Sequence, residues 1–97
     1  MPRKFGDLDP LLHSQLRLAI VSLLVSVESA DFNYLLEETE ASKGNLSVQL
    51  SKLKKAEYIS VEKTFKNNYP LTTCNITKKG LQAFENYVAA LKMYLGQ

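Results

Sequence analysis

Residues 42–59 read SKGNLSVQLSKLKKAEYI, and the spacing of the leucines in this stretch decides the fold. The leucines recur at intervals of four and then three residues: Leu46, Leu50 and Leu53. This spacing places all three on one side of a helix. Ser42 is a favoured N-cap residue, so we predict a helix over residues 42–56. Because only one narrow stripe is apolar, the other faces of this helix are expected to be polar, basic and exposed.

A shorter helix is predicted immediately before this one. Asp31 can cap it. Its apolar residues would point inward: Phe32, Leu35 and Leu36. An acidic run then closes it. Two short helices joined by a tight turn form a helix-turn-helix, which we place at residues 31–56.

Beyond the second of these helices, apolar and polar residues alternate, so the hydrophobic pattern has a period of two, as in a strand. A polar segment interrupts the alternation, which begins again at Leu71. Asn67 and Asn68 tolerate positive φ, as a tight turn requires. We therefore predict a β-hairpin, or wing, at residues 58–76 with a polar, basic tip.

Two longer helices flank these elements. Asp9-Pro10 is a strong helix start, so the first helix is predicted to run from there to about Val27. Thr77 caps the last helix, which covers residues 77–95. Each long helix carries about two apolar stripes, and a single small domain needs only one. A second copy of the chain is the simplest way to bury the additional apolar surface, so we predict a two-fold homodimer.

We treat residues 1–97 as one domain and expect residues 1–8 to be flexible. The predicted dimer interface comprises apolar positions of the first and last helices: Leu11, Leu18, Tyr87, Val88, Leu91, Tyr94 and Leu95.

The charges are distributed unevenly along the chain, whose net charge is +2. Residues 1–40 carry three basic and seven acidic groups, a net −4, whereas residues 41–80 carry eight lysines and two glutamates, a net +6. This excess is expected of a surface that meets a polyanion. A merely solvated basic face is the other interpretation.

Five segments together match a known pattern: DPLLHSQLRLAIVSLL, ADFNYLLEE, SKGNLSVQLSKLKKAEYI, VEKTFKNNYPLTT and ITKKGLQAF. On these segments, which span roughly residues 8–95, the sequence resembles the small winged-helix DNA-binding regulators of the MarR/ArsR-like group. The resemblance implies a mainly α fold with a β-hairpin wing. It also implies a transcriptional regulator that binds double-stranded DNA as a homodimer. The third helix would lie in the major groove, and the wing, residues 63–70, along the backbone or minor groove.

Two positions depart from the pattern of these regulators. Many relatives carry Arg-His where this chain has Val48-Gln49, which alters the expected DNA sequence preference. Many relatives also have a glycine where this chain has Glu57. A left-handed conformation at Glu57 would cost about 1 kcal/mol, so the helix is expected to be able to end in another way here.

The third helix and the wing tip supply the candidate DNA contacts. Free N–H groups at the helix N-terminus favour a phosphate. Asn45 and Gln49 can read adenine bidentately, although the position of Gln49 also allows it to pack partly against the core. Val48 suits a thymine methyl, although valines are also found exposed by chance. The predicted DNA-binding residues are Ser42, Lys43, Gly44, Asn45, Ser47, Val48, Gln49, Ser51, Lys52, Lys63, Lys66, Asn67 and Asn68.

The sequence offers little for catalysis or metal binding. It has one histidine, one cysteine, no glycine-rich phosphate loop and no nucleophile with a base at recognisable spacing. We therefore expect no enzyme activity, no cofactor and no metal site. The lone Cys74 indicates a reducing compartment, for which we expect the cytoplasm. The longest apolar stretch, ten residues, is too short to cross a membrane.

Two further questions stay open from the sequence. A small-molecule effector could bind between the dimer helices and the DNA-binding lobe, although no residue specifies its chemistry. The alternative function is a winged-helix interaction module, which uses the same basic face for an acidic protein and does not bind DNA.

Overall fold

The structure is a computed structural model that describes residues 5–96. Within them the elements follow the order α1 (Gln15–Val27), β1 (Ser29–Asp31), α2 (Phe32–Thr39), α3 (Lys43–Lys55), β2 (Ile59–Lys66), β3 (Tyr69–Ile76) and α4 (Lys78–Tyr94). The strands form one antiparallel sheet in the order β1-β3-β2. The mainly helical fold with a β-hairpin wing, predicted from the sequence, is confirmed.

The core lies where α1, α2, α3 and the sheet meet. Its buried side chains are aliphatic, apart from one thiol and one tyrosine: Leu12, Ile20, Val21, Leu24, Ala30, Leu35, Leu46, Leu50, Leu53, Ile59, Cys74 and Tyr87. The leucine stripe of α3 is buried as predicted. Among the described residues no charged side chain is buried, so removal of apolar surface from water provides the main stabilisation.

The first helix begins later than predicted. Its N-cap is Ser14, whose backbone is extended and whose hydroxyl accepts from the Arg17 amide. Asp9 only closes a single turn, in which its carbonyl accepts from the amides of Leu12 and His13. The carbonyl of Leu11 accepts from the Arg17 side chain at 2.6 Å. A continuous helix would have offered that carbonyl to a backbone amide, so the prediction of a start at Asp9 was wrong.

The short segment before α2 is a strand, where the sequence indicated only an interruption. β1 pairs with β3, with Ala30 opposite Cys74. A three-residue strand is too short for a period of two to be visible, and its partner lies more than forty residues away. The predicted N-cap of α2 is confirmed, because the Asp31 carboxylate accepts from the Tyr34 amide at 2.8 Å.

The predicted hairpin and its turn are also confirmed. Asn67 and Asn68 have φ of 52° and 68°, and Lys66 pairs with Tyr69 across the two-residue turn. Positive φ at both central residues is the geometry that matches the twist of the flanking strands, and asparagine is among the few residues that adopt it readily.

Helix α3 ends at Glu57 in the left-handed conformation, which glycine adopts most readily. Glu57 has a φ of 65°, its amide donates to the Lys54 carbonyl, and the amide of Tyr58 donates to the Leu53 carbonyl. These two bonds form a Schellman motif, so the chain turns as it would with glycine and does not end the helix in another way. The strain at Glu57 costs about 1 kcal/mol.

The start of α4 is joined to the end of α3. Thr77 caps α4 by accepting from the Gly80 amide at 3.0 Å. The backbone amide and the hydroxyl of Thr77 both reach the Tyr58 carbonyl, at 3.2 and 2.9 Å. Gly80 is buried against the same carbonyl, where a Cβ atom would overlap the oxygen. The Thr77 hydroxyl also reaches the Glu57 carbonyl, at 2.7 Å. The start of α4 is therefore fixed to the backbone of the two residues just beyond the end of α3.

The described chain is elongated, measuring 59 × 24 × 21 Å. The last turns of α4 contact the start of the described chain: the rings of Phe5 and Tyr94 lie 5.0 Å apart, and the Tyr94 hydroxyl donates to the Gly6 carbonyl. The segment 1–8 was expected to be flexible. Its residues 1–4 lie outside the described part, whereas Phe5 and Gly6 make these contacts.

Within residues 5–96, no helix combines the length and the apolar content that a membrane span requires.

Gly80→Ala is expected to lower the free energy of unfolding by about 1–3 kcal/mol, because the added methyl group forces α4 away from Tyr58. Gly44→Ala is the matched control, since nothing lies within 4 Å of a Cβ there and alanine favours the helix by up to about 1 kcal/mol. Urea denaturation measures both changes. Equal effects of the two substitutions would contradict the close approach of α4 to Tyr58.

Candidate nucleic-acid interface

The leucines of helix α3 face the core, and its other residues, except Gln49, are exposed. The predicted contact residues of this helix are exposed, apart from the half-buried Gln49: Ser42, Lys43, Gly44, Asn45, Ser47, Val48, Ser51 and Lys52. Val48 is 51% exposed although its side chain is apolar. The segment Lys43–Lys55 contains no acidic residue. The outer face of α3 therefore carries no negative charge, and its lysines lie at the two ends of the helix.

The N-terminus of α3 faces the surface. The Ser42 hydroxyl accepts from the Asn45 amide at 3.2 Å, which satisfies one amide of the first turn. The amides of Lys43 and Gly44 precede it and have no partner within the helix, because the first turn of any helix lacks acceptors for them. These amides, the helix dipole and the lysine charge all favour an anion such as a phosphate group.

Gln49 is engaged inside the protein at both ends of its amide. Its oxygen accepts from the Arg17 guanidinium at 2.6 Å, and its nitrogen donates to the Asn45 side-chain oxygen at 2.9 Å. Gln49 was expected either to contact a base or to pack partly against the core, and it is half-buried. Arg17 was not expected to belong to the site. This hydrogen bond joins residues of α1 and α3 that are thirty-two positions apart, so no local sequence pattern predicts it.

The wing carries its predicted contact residues on the surface: Lys63, Lys66, Asn67 and Asn68. Two exposed aromatic rings beside them were not among the predicted contacts. Phe65 and Tyr69 are 78% and 75% exposed. Their exposure could have been predicted from their position next to the turn, because no helix covers side chains so far along a hairpin.

A cavity of about 340 Å³ separates α3 from the wing. Ser47, Ser51 and Lys54 line it from α3, and Lys63 lines it from β2. The structure therefore brings the wing side of α3 and the base of the wing to a common cleft. Lys54 and Lys63 place this cleft on the basic face.

The predicted dimer residues differ in exposure. Tyr87 is only 5% exposed, and its hydroxyl is hydrogen-bonded to the His13 ring at 3.1 Å. It packs inside the protomer and offers almost no surface to a second chain, which corrects its assignment to the interface. Tyr94 and Leu95 are 48% and 64% exposed. The others are half-buried: Leu11, Leu18, Val88 and Leu91.

Among the residues that the structure describes, Cys74 and Tyr58 have shifted pKa values, and neither lies on the outer face of α3. Burial raises the pKa of the Cys74 thiol to about 11. Burial, with a hydrogen bond to the Asp9 carboxylate, raises the pKa of Tyr58 to about 12. Among residues 5–96, no group of three or more histidine, cysteine or acidic side chains could hold a metal ion.

The family of the chain is shown by comparison with known proteins. A family model described as winged helix DNA-binding domain matches residues 16–95. The chain therefore belongs to the winged-helix DNA-binding domain family, as the resemblance in the sequence indicated. This is a family of DNA-binding proteins and not of enzymes, in agreement with the expectation that the chain is not an enzyme.

An uncharacterized protein of Methanocaldococcus jannaschii is 35% identical over 78 residues, covering 80% of this chain and 85% of the relative. The structure is similar to that of a transcriptional regulator homologue from Pyrococcus horikoshii OT3, with a TM-score of 0.83 and 22% identity over 89% of this chain and 85% of the other. It is also similar to a MepR-like protein complexed with pseudoligands, with a TM-score of 0.67 and 18% identity over 79% of this chain and 54% of the other. At these identities the structural likeness defines the fold.

The Cys74 thiol is expected to resist alkylation in the native protein. With its pKa raised to about 11, the thiolate is scarce at about pH 8, and the labelling rate should rise about tenfold with each pH unit until the pH approaches 11. Iodoacetamide labelling, followed by mass spectrometry, measures the rate with and without urea. Ser60→Cys in a Cys74→Ala background is the matched control, since Ser60 is exposed on the neighbouring strand. Equal native rates for the two thiols would contradict the buried position.

Proposed function

We propose that this chain is a transcriptional regulator that binds a specific double-stranded DNA sequence as a homodimer. Helix α3 enters the major groove, and the wing follows the backbone or the minor groove. The observation that carries this proposal is the outer face of α3, which is exposed, free of acidic residues and ends in three lysines. Lysine and amide side chains on one helix suit phosphate and base-edge contacts together.

The wing supports the same proposal. Lys63 and Lys66 can neutralise phosphates, while Asn67 and Asn68 place two amide groups at the tip. The exposed ring of Phe65 is suited to contact sugars or base edges in a groove, where apolar side chains commonly insert.

The homodimer is supported by an uncovered apolar stripe on α4. Leu81, Val88 and Leu95 lie seven residues apart and so share one side of the helix. Leu81 and Leu95 are 39% and 64% exposed, and Val88 is half-buried. A second α4 packed against this stripe would bury it. A two-fold dimer would then present its two α3 helices to half-sites about 10 bp apart, as an inverted repeat.

The purified protein is expected to select an inverted repeat from a random duplex library. With about 6 to 10 phosphates neutralised, its affinity should fall by about 10³ to 10⁵ between about 50 and 200 mM salt. Lys52→Glu should weaken binding to every sequence and reduce the salt slope, whereas Asn45→Ala should chiefly relax sequence preference. Fluorescence anisotropy across a salt series measures these effects.

The matched control is Lys92→Glu, which makes the same charge change on α4, outside the proposed DNA contacts, and should bind DNA as the native chain does. Its mass in solution is checked first, because Lys92 lies near the proposed dimer stripe. If no duplex is retained at physiological salt, the proposal fails and the interaction-module alternative takes its place.

Leu95→Asp is expected to split the dimer. The native chain should show twice the 10.9 kDa mass of one chain in light scattering at micromolar concentration. The substitution puts a charge on the stripe without disturbing the core, since Leu95 is 64% exposed. Gln82→Asp places the same group on the polar side of α4 and should leave the mass doubled. A monomeric native chain would remove the dimer from the proposal.

A further inference from the structure

Three side chains form a hydrogen-bonded chain from the core-facing helix α1 to the outer face of α3. The Arg17 guanidinium is held by the Leu11 carbonyl at 2.6 Å and donates to the Gln49 oxygen at 2.6 Å. The Gln49 nitrogen then donates to the Asn45 side-chain oxygen at 2.9 Å. Arg17 and Gln49 are half-buried, whereas Asn45 is exposed in the first turn of α3.

The direction of this chain of bonds follows from the chemistry of arginine. A guanidinium carries only donors, so the amide group that faces it must present its oxygen. The amide of Gln49 therefore turns its nitrogen towards Asn45. Two amide nitrogens cannot bond to each other, so Asn45 must present its oxygen to Gln49. Its own nitrogen then points away, towards the surface.

We propose that Arg17 is a positioning residue that sets the base preference of Asn45 through Gln49. The inference rests on the proposed function, because it concerns how α3 reads DNA. Arg17 does not touch a base in this scheme. It decides which end of the Asn45 amide faces the major groove.

The outward nitrogen makes Asn45 a reader of acceptors. Guanine presents two neighbouring acceptors, N7 and O6, in the major groove, whereas cytosine presents only the N4 amino donor. The bidentate contact of asparagine with adenine needs the amide oxygen as well, and Gln49 already occupies that oxygen. Asn45 is therefore expected to favour guanine and to reject cytosine at one position of each half-site.

Gln49→Glu tests the scheme by reversing it. The carboxylate keeps the bond to Arg17, but it has no nitrogen, so its second oxygen must accept from Asn45. The Asn45 amide then turns its oxygen outward and reads a donor, namely cytosine N4 or adenine N6. The base selected at that position should change from guanine to cytosine or adenine, with a preference of about tenfold in each case.

Two variants separate positioning from packing. Gln49→Met keeps the length of the side chain and removes both bonds, so Asn45 should turn freely and the preference at that position should fall without a new one appearing. Arg17→Met leaves Gln49 unanchored and should have the same result. Thermal unfolding by circular dichroism establishes that each variant is folded before selection from the library.

A second measurement needs no DNA. In proton–nitrogen spectra, the side-chain NH₂ signal of Asn45 is expected to be solvent-exposed in the native protein. In Gln49→Glu it should shift to higher proton frequency and exchange more slowly, because it then donates to a carboxylate.

The outcomes distinguish the inference from the proposed function. If native protein and Gln49→Glu select the same base at the position facing Asn45, or the Asn45 signal does not change, the inference is overturned. If neither protein binds any duplex, the proposed function fails, and the spectra alone decide how Asn45 is held.

Discussion

The rotation of α3 about its own axis is the constraint on which the rest of the structure depends. Leu46 and Leu53 are fully buried and Leu50 is 6% exposed, so a turn of the helix by one residue would expose at least one of them. Each buried leucine contributes about 1.5–3 kcal/mol. The same burial determines which residues face outward. A core interaction thus selects the surface that meets DNA in the proposed function.

The sequence predicted the features that depend on neighbouring residues. The caps at Asp31, Ser42 and Thr77, and the turn at Asn67, are decided within a few residues, and the structure confirms each of them. Features that depend on distant residues were missed or wrong. Asp9 and Ser14 compete to cap α1, and the Arg17 side chain helps to decide between them by taking the Leu11 carbonyl.

The same distinction applies to the candidate interface. Exposure of Val48 follows from the leucine spacing, and the sequence predicted it. The bonds of Gln49 do not follow from that spacing, because their geometry depends on how α1 crosses α3. Burial of Tyr87 likewise depends on how the turn before α1 meets α4, since its hydroxyl is hydrogen-bonded to His13, seventy-four positions away. Local periodicity gives the face of a helix but not the partner of a side chain on that face.

The contacts of Thr77 and Gly80 with the Tyr58 carbonyl hold the first turn of α4 and so help to determine the direction in which this helix runs. Its seventeen residues span about 25 Å, and at its base the helix is fixed to the end of α3 with no room for even a methyl group. In a dimer built on α4, the angle at which the two α4 helices cross would set the separation of the two α3 helices. A tilt of about 10° at the first turn of α4 moves the far end of a helix of this length by about 4 Å. That is more than the rise of one base pair, so the contacts that hold α4 at Tyr58, His13 and Gly6 would govern the spacing between half-sites.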